Sequence, residues 1–115
     1  MLGPLQPVSP PGGSDFLDTV TFEESGTGDG AVYVYFVTDM ALGDPTPFVP
    51  EFEVRINGDV FDIDSIIWYS PDILKLNFVD IPPVLNWNVK YTPGAAPIRS
   101  EGLINQIGFD RSGSV

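Results

Sequence analysis

The chain has 115 residues, with five basic residues against sixteen acidic ones and a formal net charge of −11. This length suffices for one domain around one hydrophobic core. Nucleic acids and anionic membrane surfaces attract proteins through Lys and Arg, so neither is an expected partner. The sequence contains no cysteine and no histidine, which excludes disulfides, thiolate sites and Ser-His-Asp catalysis. We expect a protein without enzymatic activity and without a cofactor.

The first 14 residues, rich in proline and glycine, predict an extended arm, because prolines prevent helix and central-strand pairing. Leu2, Leu5 and Val8 recur every three residues, so that in a polyproline-like path they lie on one side. We expect these three side chains to bind a neighbouring subunit. The alternative is a disordered tail.

Targeting signals are missing from the sequence. The N-terminus has neither the positive region nor the continuous apolar region of a signal peptide. No segment approaches the roughly 18 apolar residues that a membrane span needs. If Met1 is the native start, we expect synthesis in a cytosol.

From Asp15 onward, apolar residues alternate with polar ones, which predicts short β-strands. The predicted strands are FLDTVTFEE (16–24), AVYVYFVTD (31–39), FEVRI (52–56), SIIWYS (65–70), ILKLNFVD (73–80), LNWNVKY (85–91) and LINQIGFD (103–110). SIIWYS either continues the segment VFDID or begins a new strand. About seven strands spaced near ten residues apart predict an antiparallel β-sandwich or barrel over 15–110, followed by a polar tail, 111–115.

Two local patterns give finer expectations. Asn57-Gly58 between alternating runs predicts a hairpin with a type I′ turn, because both residue types tolerate positive φ. Strict alternation in LNWNVKY predicts that four side chains face the core, namely Leu85, Trp87, Val89 and Tyr91.

An ordered series of short motifs resembles the SwmB-type bacterial Ig-like repeat. The motifs are FEVRING (52–58), LKLNF (74–78), IPPVLNW (81–87), VKYTP (89–93), PIRSEG (97–102) and IGF (107–109). The resemblance covers about residues 16–110 and departs from the family pattern at Ser100–Leu103, where the family has Asp-x-x-Gly-Asn. It implies an Ig-like β-sandwich that serves as a spacer, stalk or attachment unit. It also implies that the Tyr91 hydroxyl ties the corner after its strand, as in other Ig-like sandwiches.

Trp68 and Tyr69 are neighbours on a predicted strand, so one of them points outward. An exposed aromatic side chain suits a protein interface, which is our first expectation for this pair. Burial beneath loops is an alternative, and so is a sugar-stacking platform formed with Tyr33 or Tyr35.

The densest acidic group consists of Asp59, Asp62 and Asp64, together with Asp72. On one strand Asp62 and Asp64 would share a face, and calcium prefers such oxygen ligands. Because no calcium-loop pattern is present, we expect these side chains to be solvated, with calcium as the alternative. A glycosidase pair drawn from the acidic side chains near the first strand is a further alternative. These side chains are Asp15, Asp18, Glu23 and Glu24.

The function that these patterns favour is that of a phage virion component, such as a capsid decoration (cement) protein assembled in the host cytoplasm. Its partners would be other virion proteins, the major capsid protein above all, and copies of itself. A single repeat of a large secreted adhesin, extracellular or at the cell surface, is one alternative. A carbohydrate-binding module is another.

Overall fold

The computed structural model describes residues 13–25 and 28–115. In this part of the chain eight strands and one 3₁₀ helix are formed. The strands are β1 Leu17–Glu24, β2 Gly30–Phe36, β3 Phe52–Ile56, β4 Asp59–Phe61, β5 Ser65–Ser70, β6 Ile73–Phe78, β7 Asn86–Tyr91 and β8 Phe109–Ser114, and the 3₁₀ helix is Thr46–Glu51. Within the described ranges, no helix is long and apolar enough to span a membrane.

The strands pair into two four-stranded antiparallel sheets, with orders β1-β2-β6-β5 and β4-β3-β7-β8. The predicted antiparallel β-sandwich is therefore confirmed. Strand β2 lies between β1 and β6, so it is a central strand of its sheet. Its valines are buried on the inner face, whereas Tyr33 and Tyr35 are half-buried on the outer face. Short connections join β1 to β2, β3 to β4 and β5 to β6, as antiparallel pairing allows, whereas residues 92–108 form a longer loop between β7 and β8.

Side chains of β1, β2 and β5 contribute to the core, and so do the alternating apolar side chains of β3, β6 and β7. The latter are all at most 9% exposed: Phe52, Val54, Ile56, Leu74, Leu76, Phe78, Trp87, Val89 and Tyr91. Each contributes roughly 1.5–3 kcal/mol through burial. Leu85 is the exception, since it is 69% exposed. It precedes β7, and its N–H donates to the side chain of Asn57 rather than to a neighbouring strand, so the alternation of the strand does not extend to it.

The structure decides one alternative that the sequence left open and corrects one predicted strand. SIIWYS forms β5, which pairs with β6 in the sheet opposite β4, so it begins a new strand. The last strand is β8, Phe109–Ser114, and not 103–110. The expected polar tail, 111–115, is therefore mostly strand, paired with β7 from Tyr91↔Phe109 to Asn86↔Ser114.

The polar sequence of β8 fits its place at the edge of a sheet, where charged side chains such as Asp110 and Arg111 discourage pairing with another chain. Gly113 lies opposite Trp87 in the register. A Cβ at position 113 would come within 2.5 Å of the indole ring, so the absence of a side chain there lets Trp87 pack beneath the strand.

Asn57 and Gly58 connect β3 to β4 as the two-residue turn that the sequence predicted, with φ of 54° and 90°. The side chain of Asn57 also fixes a second connection. Its Oδ1 accepts from the N–H groups of Leu85 and Asn86, and its Nδ2 donates to the carbonyl of Pro83. One residue thereby holds the hairpin and the β6–β7 connection together.

Substitution Gly58→Ala is expected to lower the free energy of unfolding by about 1–2 kcal/mol, because a side chain is disfavoured at this positive φ. No atom lies within 4 Å of the added Cβ, so the loss reflects backbone conformation alone. Gly43 is the matched control, since its added Cβ also meets nothing within 4 Å and its φ is not in the left-handed region. Urea denaturation should show Gly43→Ala to be neutral or slightly stabilising; equal losses in the two variants would contradict this account.

Tyr91, 1% exposed, ties the corner after β7 through its hydroxyl. The hydroxyl accepts from the N–H of Ile98 at 2.9 Å and donates to Oε1 of Glu51 at 3.2 Å. The corner role expected for Tyr91 is confirmed, and the backbone partner lies seven residues downstream. Burial raises the pKa of the Tyr91 hydroxyl well above its ordinary value of 10.0, and the charge of Glu51 acts in the same direction.

Substitution Tyr91→Phe is expected to cost about 2–3 kcal/mol, because the buried N–H of Ile98 and the carboxylate of Glu51 both lose their partner. Tyr69→Phe, which removes an exposed hydroxyl, serves as the control and should change stability by less than about 0.5 kcal/mol.

The Tyr91 hydroxyl also predicts how stability depends on pH. A raised folded-state pKa means that the native state keeps a proton that the unfolded state releases above about pH 10. Stability should therefore fall with pH above about 10, and it should fall less steeply in Tyr91→Phe. Urea denaturation between pH 9 and 11 measures both slopes, and parallel slopes would contradict the assignment.

Candidate functional site: the arm mount and the tyrosine face

The predicted arm residues Leu2, Leu5 and Val8 lie outside the described residues. What the structure does show is where the chain enters the domain. Ser14 forms a parallel bridge with Gln106: its N–H donates to the carbonyl of Asn105 at 2.9 Å, and its carbonyl accepts from Ile107 at 3.2 Å. We call residues 13–16 and 105–107 the arm mount.

The side chain of Gln106 is the centre of the arm mount. It is fully buried, and both ends of its amide are used. Oε1 accepts from the N–H of Phe16 at 2.8 Å, and Nε2 donates to Asp15 at 3.1 Å and to the carbonyl of Ile107 at 2.9 Å. The hydrogen bond from Gln106, followed by that from the N–H of Leu17, holds the pKa of Asp15 below its ordinary value. The first residues of the domain are thereby fixed to its last loop.

The loop that carries Gln106 is itself anchored. Arg99 bridges to Asn105 and Met40 bridges to Ser100, and Ile98 is fully buried beneath them. Gly13 approaches this loop so closely that a Cβ would lie 1.9 Å from the carbonyl oxygen of Asn105. The close contact requires glycine at position 13.

Apolar side chains surround the arm mount. Leu103, Ile104 and Ile107 are 66%, 48% and 40% exposed. Leu103 has a φ of 64°, a conformation that costs a bulky residue about 1–2 kcal/mol. It is held there by hydrogen bonds of 2.8–2.9 Å between the backbones of Ser100, Leu103 and Ile104. The tight turn thus presents Leu103 to solvent two residues before the loop segment of the arm mount.

The aromatic pair expected from the sequence is divided between the two faces of β5. Trp68 packs against Phe36 and Phe48, with ring centroids 6.3 and 6.4 Å away, and within the described part of the chain its Nε1 has no hydrogen-bond partner. Tyr69 points outward and is 59% exposed. Tyr69 is therefore the surface aromatic of the pair.

Three tyrosines and one lysine form what we call the tyrosine face, on the outer side of the β1-β2-β6-β5 sheet. Tyr33 lies 5.5 Å from Tyr69, with the rings nearly perpendicular at 86°, and 6.4 Å from Tyr35. The Lys75 ammonium lies 5.5 Å from the Tyr33 ring and 5.7 Å from the Tyr69 ring. Sequence reasoning missed Lys75, because only the register Tyr33↔Lys75 between β2 and β6 reveals it.

A groove of about 470 Å³ adjoins the tyrosine face. Tyr33 and Lys75 belong to its lining, and acidic and amide side chains supply much of the rest. These are Glu23, Glu24, Asp29, Asp64 and Asn77. The groove therefore places hydrogen-bond acceptors beside aromatic rings.

The acidic residues considered for calcium do not share one strand. Asp59 begins β4, whereas Asp62 and Asp64 lie in the connection that leaves β4 for β5 in the other sheet. The expectation that Asp62 and Asp64 lie on one strand face is wrong, because the chain changes sheets between β4 and β5. Among the residues that the structure describes, no group of three or more acidic side chains is placed to hold a metal ion. Asp72 is engaged by the hydroxyl of Ser70 at 2.7 Å.

The acidic residues considered as a glycosidase pair are split along β1. Asp15 and Asp18 lie at its beginning, and Glu23 and Glu24 lie at its end. An extended strand places Asp18 and Glu23 about 17 Å apart, farther than the roughly 5–10 Å between glycosidase carboxyl groups.

Comparison of the chain with protein-family models and with curated proteins finds no match.

Gln106 gives a direct test of the arm mount. Gln106→Ala should lower the free energy of unfolding by about 2–3 kcal/mol, because buried backbone partners lose their hydrogen bonds. Gln106→Glu should cost about 3 kcal/mol or more at neutral pH, since it buries a carboxylate against Asp15. The buried carboxyl group would have a raised pKa, so the deficit of Gln106→Glu should be full at pH 7 and should shrink as pH falls from about 6.5 to about 4.

Urea denaturation at pH 7 and pH 4 measures these effects. Asn105→Ala is the control, because it removes one exposed hydrogen bond to Arg99 and should cost less than about 1 kcal/mol. A Gln106→Ala variant as stable as Asn105→Ala would show that the buried amide does not hold the mount.

Proposed function

We propose that the protein is a non-catalytic structural module of a virion, such as a capsid decoration (cement) protein. It docks on the shell, with the major capsid protein as its main partner, through its N-terminal arm and exposed apolar side chains. Assembly takes place in the host cytoplasm. The observation that carries the proposal is the arm mount, because a Pro/Gly-rich segment leaves the domain from a base fixed by the buried amide of Gln106.

The strand order supports the Ig-like part of this proposal. Constant-type Ig domains have strands A, B, E and D in one sheet and C, F and G in the other. Orders β1-β2-β6-β5 and β3-β7-β8 follow that scheme in chain order, with β4 added beside β3. Such a sandwich suits a rigid attachment unit, although the fold alone does not define a function.

The surroundings of the mount support docking. Leu103, Ile104 and Ile107 are exposed where the arm begins, so a partner bound by the arm would also cover these side chains. Burying apolar surface contributes about 25 cal/mol per Å². The strained turn at Leu103 is the kind of backbone feature that accumulates at binding sites. Binding to the assembled shell, and not to free subunits, would stabilise the particle by mass action.

Deletion of residues 1–12 is expected to leave the domain folded, because Gly13, Ser14 and the hydrogen bonds of Gln106 are kept, and to abolish docking on virus particles. Sedimentation of the full chain and of the 13–115 variant with particles from the source culture measures docking, and thermal unfolding checks the fold. A second variant, Leu103→Ser, should weaken docking about tenfold or more through the lost apolar contact.

The matched control is Leu85→Ser, which removes an equally exposed leucine away from the arm mount and should dock normally. Normal docking of the truncated protein would overturn the role of the arm. Absence of the full chain from purified particles, checked by mass spectrometry, would overturn the virion assignment itself.

A further inference from the structure

The tyrosine face presents ordered aromatic rings to solvent. Tyr69 is 59% exposed, and the contacts between Tyr33, Tyr69 and the Lys75 ammonium restrain the positions of all three side chains. A cation over two rings stabilises their arrangement. Rings held in place in the free protein lose little conformational entropy when a ligand binds.

The adjoining groove supplies the polar complement. Asp29, Asp64 and Asn77 line it together with Tyr33 and Lys75. Carboxylate and amide oxygens accept hydrogen bonds from hydroxyl groups, and amide and ammonium groups donate to hydroxyl oxygens. Its volume of about 470 Å³ falls in the range of about 300–1,000 Å³ of small-ligand sites.

Sugar rings suit a site in which exposed aromatic rings lie beside hydrogen-bonding side chains. A pyranose has a C–H face that packs on an aromatic ring and a rim of hydroxyl groups that need donors and acceptors. The charges around the groove select among sugars, because several carboxylates surround it and Lys75 is the cation in its lining. Carboxylated, sulfated or phosphorylated glycans would be repelled.

We propose that the tyrosine face and its groove form a binding site for a neutral glycan, with one sugar packed on Tyr69 and the next held by the groove beside Tyr33. This site is separate from the arm mount, so it gives the protein a second binding surface. The proposal does not depend on the virion assignment, and the two can fail independently.

The test is a titration of the full chain with neutral hexasaccharides, namely cellohexaose, maltohexaose, mannohexaose and xylohexaose, up to about 10 mM, followed by amide NMR. At least one sugar is expected to bind with a Kd of about 1 mM or tighter and to shift the signals of β2, β5 and β6. An oligogalacturonate of equal length should not bind, because its carboxylates meet those of the groove.

Variants locate the site. Tyr69→Ala and Tyr33→Ala are each expected to weaken binding about tenfold through the lost ring contact, while Tyr69→Phe, which keeps the ring, should stay within about threefold of the unsubstituted protein. Leu85→Ala, at an exposed position outside this face, is the control. Trp68→Ala is unsuitable, since its ring packs on Phe36 and Phe48 and its removal would damage the core.

The proposal is overturned if none of the four sugars binds saturably, or if the Ala variants at Tyr33 and Tyr69 bind as tightly as the control. A lysine-rich octapeptide is titrated in parallel. Binding of this peptide at the tyrosine face, without binding of any sugar, would overturn the glycan proposal and identify the face as a protein-docking surface for basic partners.

Discussion

The buried amide of Gln106 is the polar contact that fastens the first residues of the domain to its last loop. The two sheets share no strand, and β1 and β8 lie at an edge of each. Gln106 joins the two layers there, because its side chain bonds to the backbone before β1 while its own N–H bonds to Ile98. A side-chain amide suits this place, since it offers a donor and an acceptor without introducing a charge into the core.

A second buried polar contact acts at the same end of the domain. Tyr91 lies on β7, and its hydroxyl accepts from the N–H of Ile98, so Ile98 is held both by Gln106 and by the tyrosine hydroxyl. The loop between β7 and β8 is therefore tied to the domain at several points, although most of it is irregular. Hydrogen bonds within the same loop hold Leu103 in its exposed turn.

Alternation along the strands places the side chains that form the core on one face and the side chains of the tyrosine face on the other. In β2, Val32 and Val34 are fully buried, while Tyr33 and Tyr35 stand on the opposite face. In β6, Leu74 and Leu76 face the core, and Lys75 points between the tyrosines. Substitutions of the outward side chains should therefore affect the core little. A small sandwich can in this way carry a binding surface whose residues are not those that pack its core.

Several elements could be predicted because their structure depends on residues that are close together in the sequence. FEVRI, the Asn57-Gly58 turn and the inward residues of β6 and β7 follow from period-two alternation and turn chemistry. The last strand could not be predicted in this way, because FDRSGS has a polar sequence and becomes a strand only by pairing with β7. Nor could the pattern decide between Trp68 and Tyr69, since adjacent residues of a strand face opposite sides and both rings are apolar enough for the core.

The sequence by itself determined the class of fold, the inward faces of the central strands, the acidic surface and the inventory that lacks cysteine and histidine. These properties depend on composition and on neighbours a few residues apart. The tertiary structure alone decided the role of Gln106, the strand at the C-terminal end and the meeting of Tyr33, Tyr69 and Lys75 on one face. Each of these depends on contacts between residues distant in the chain, as between Phe16 and Gln106, and local patterns carry no record of which distant segments will pair.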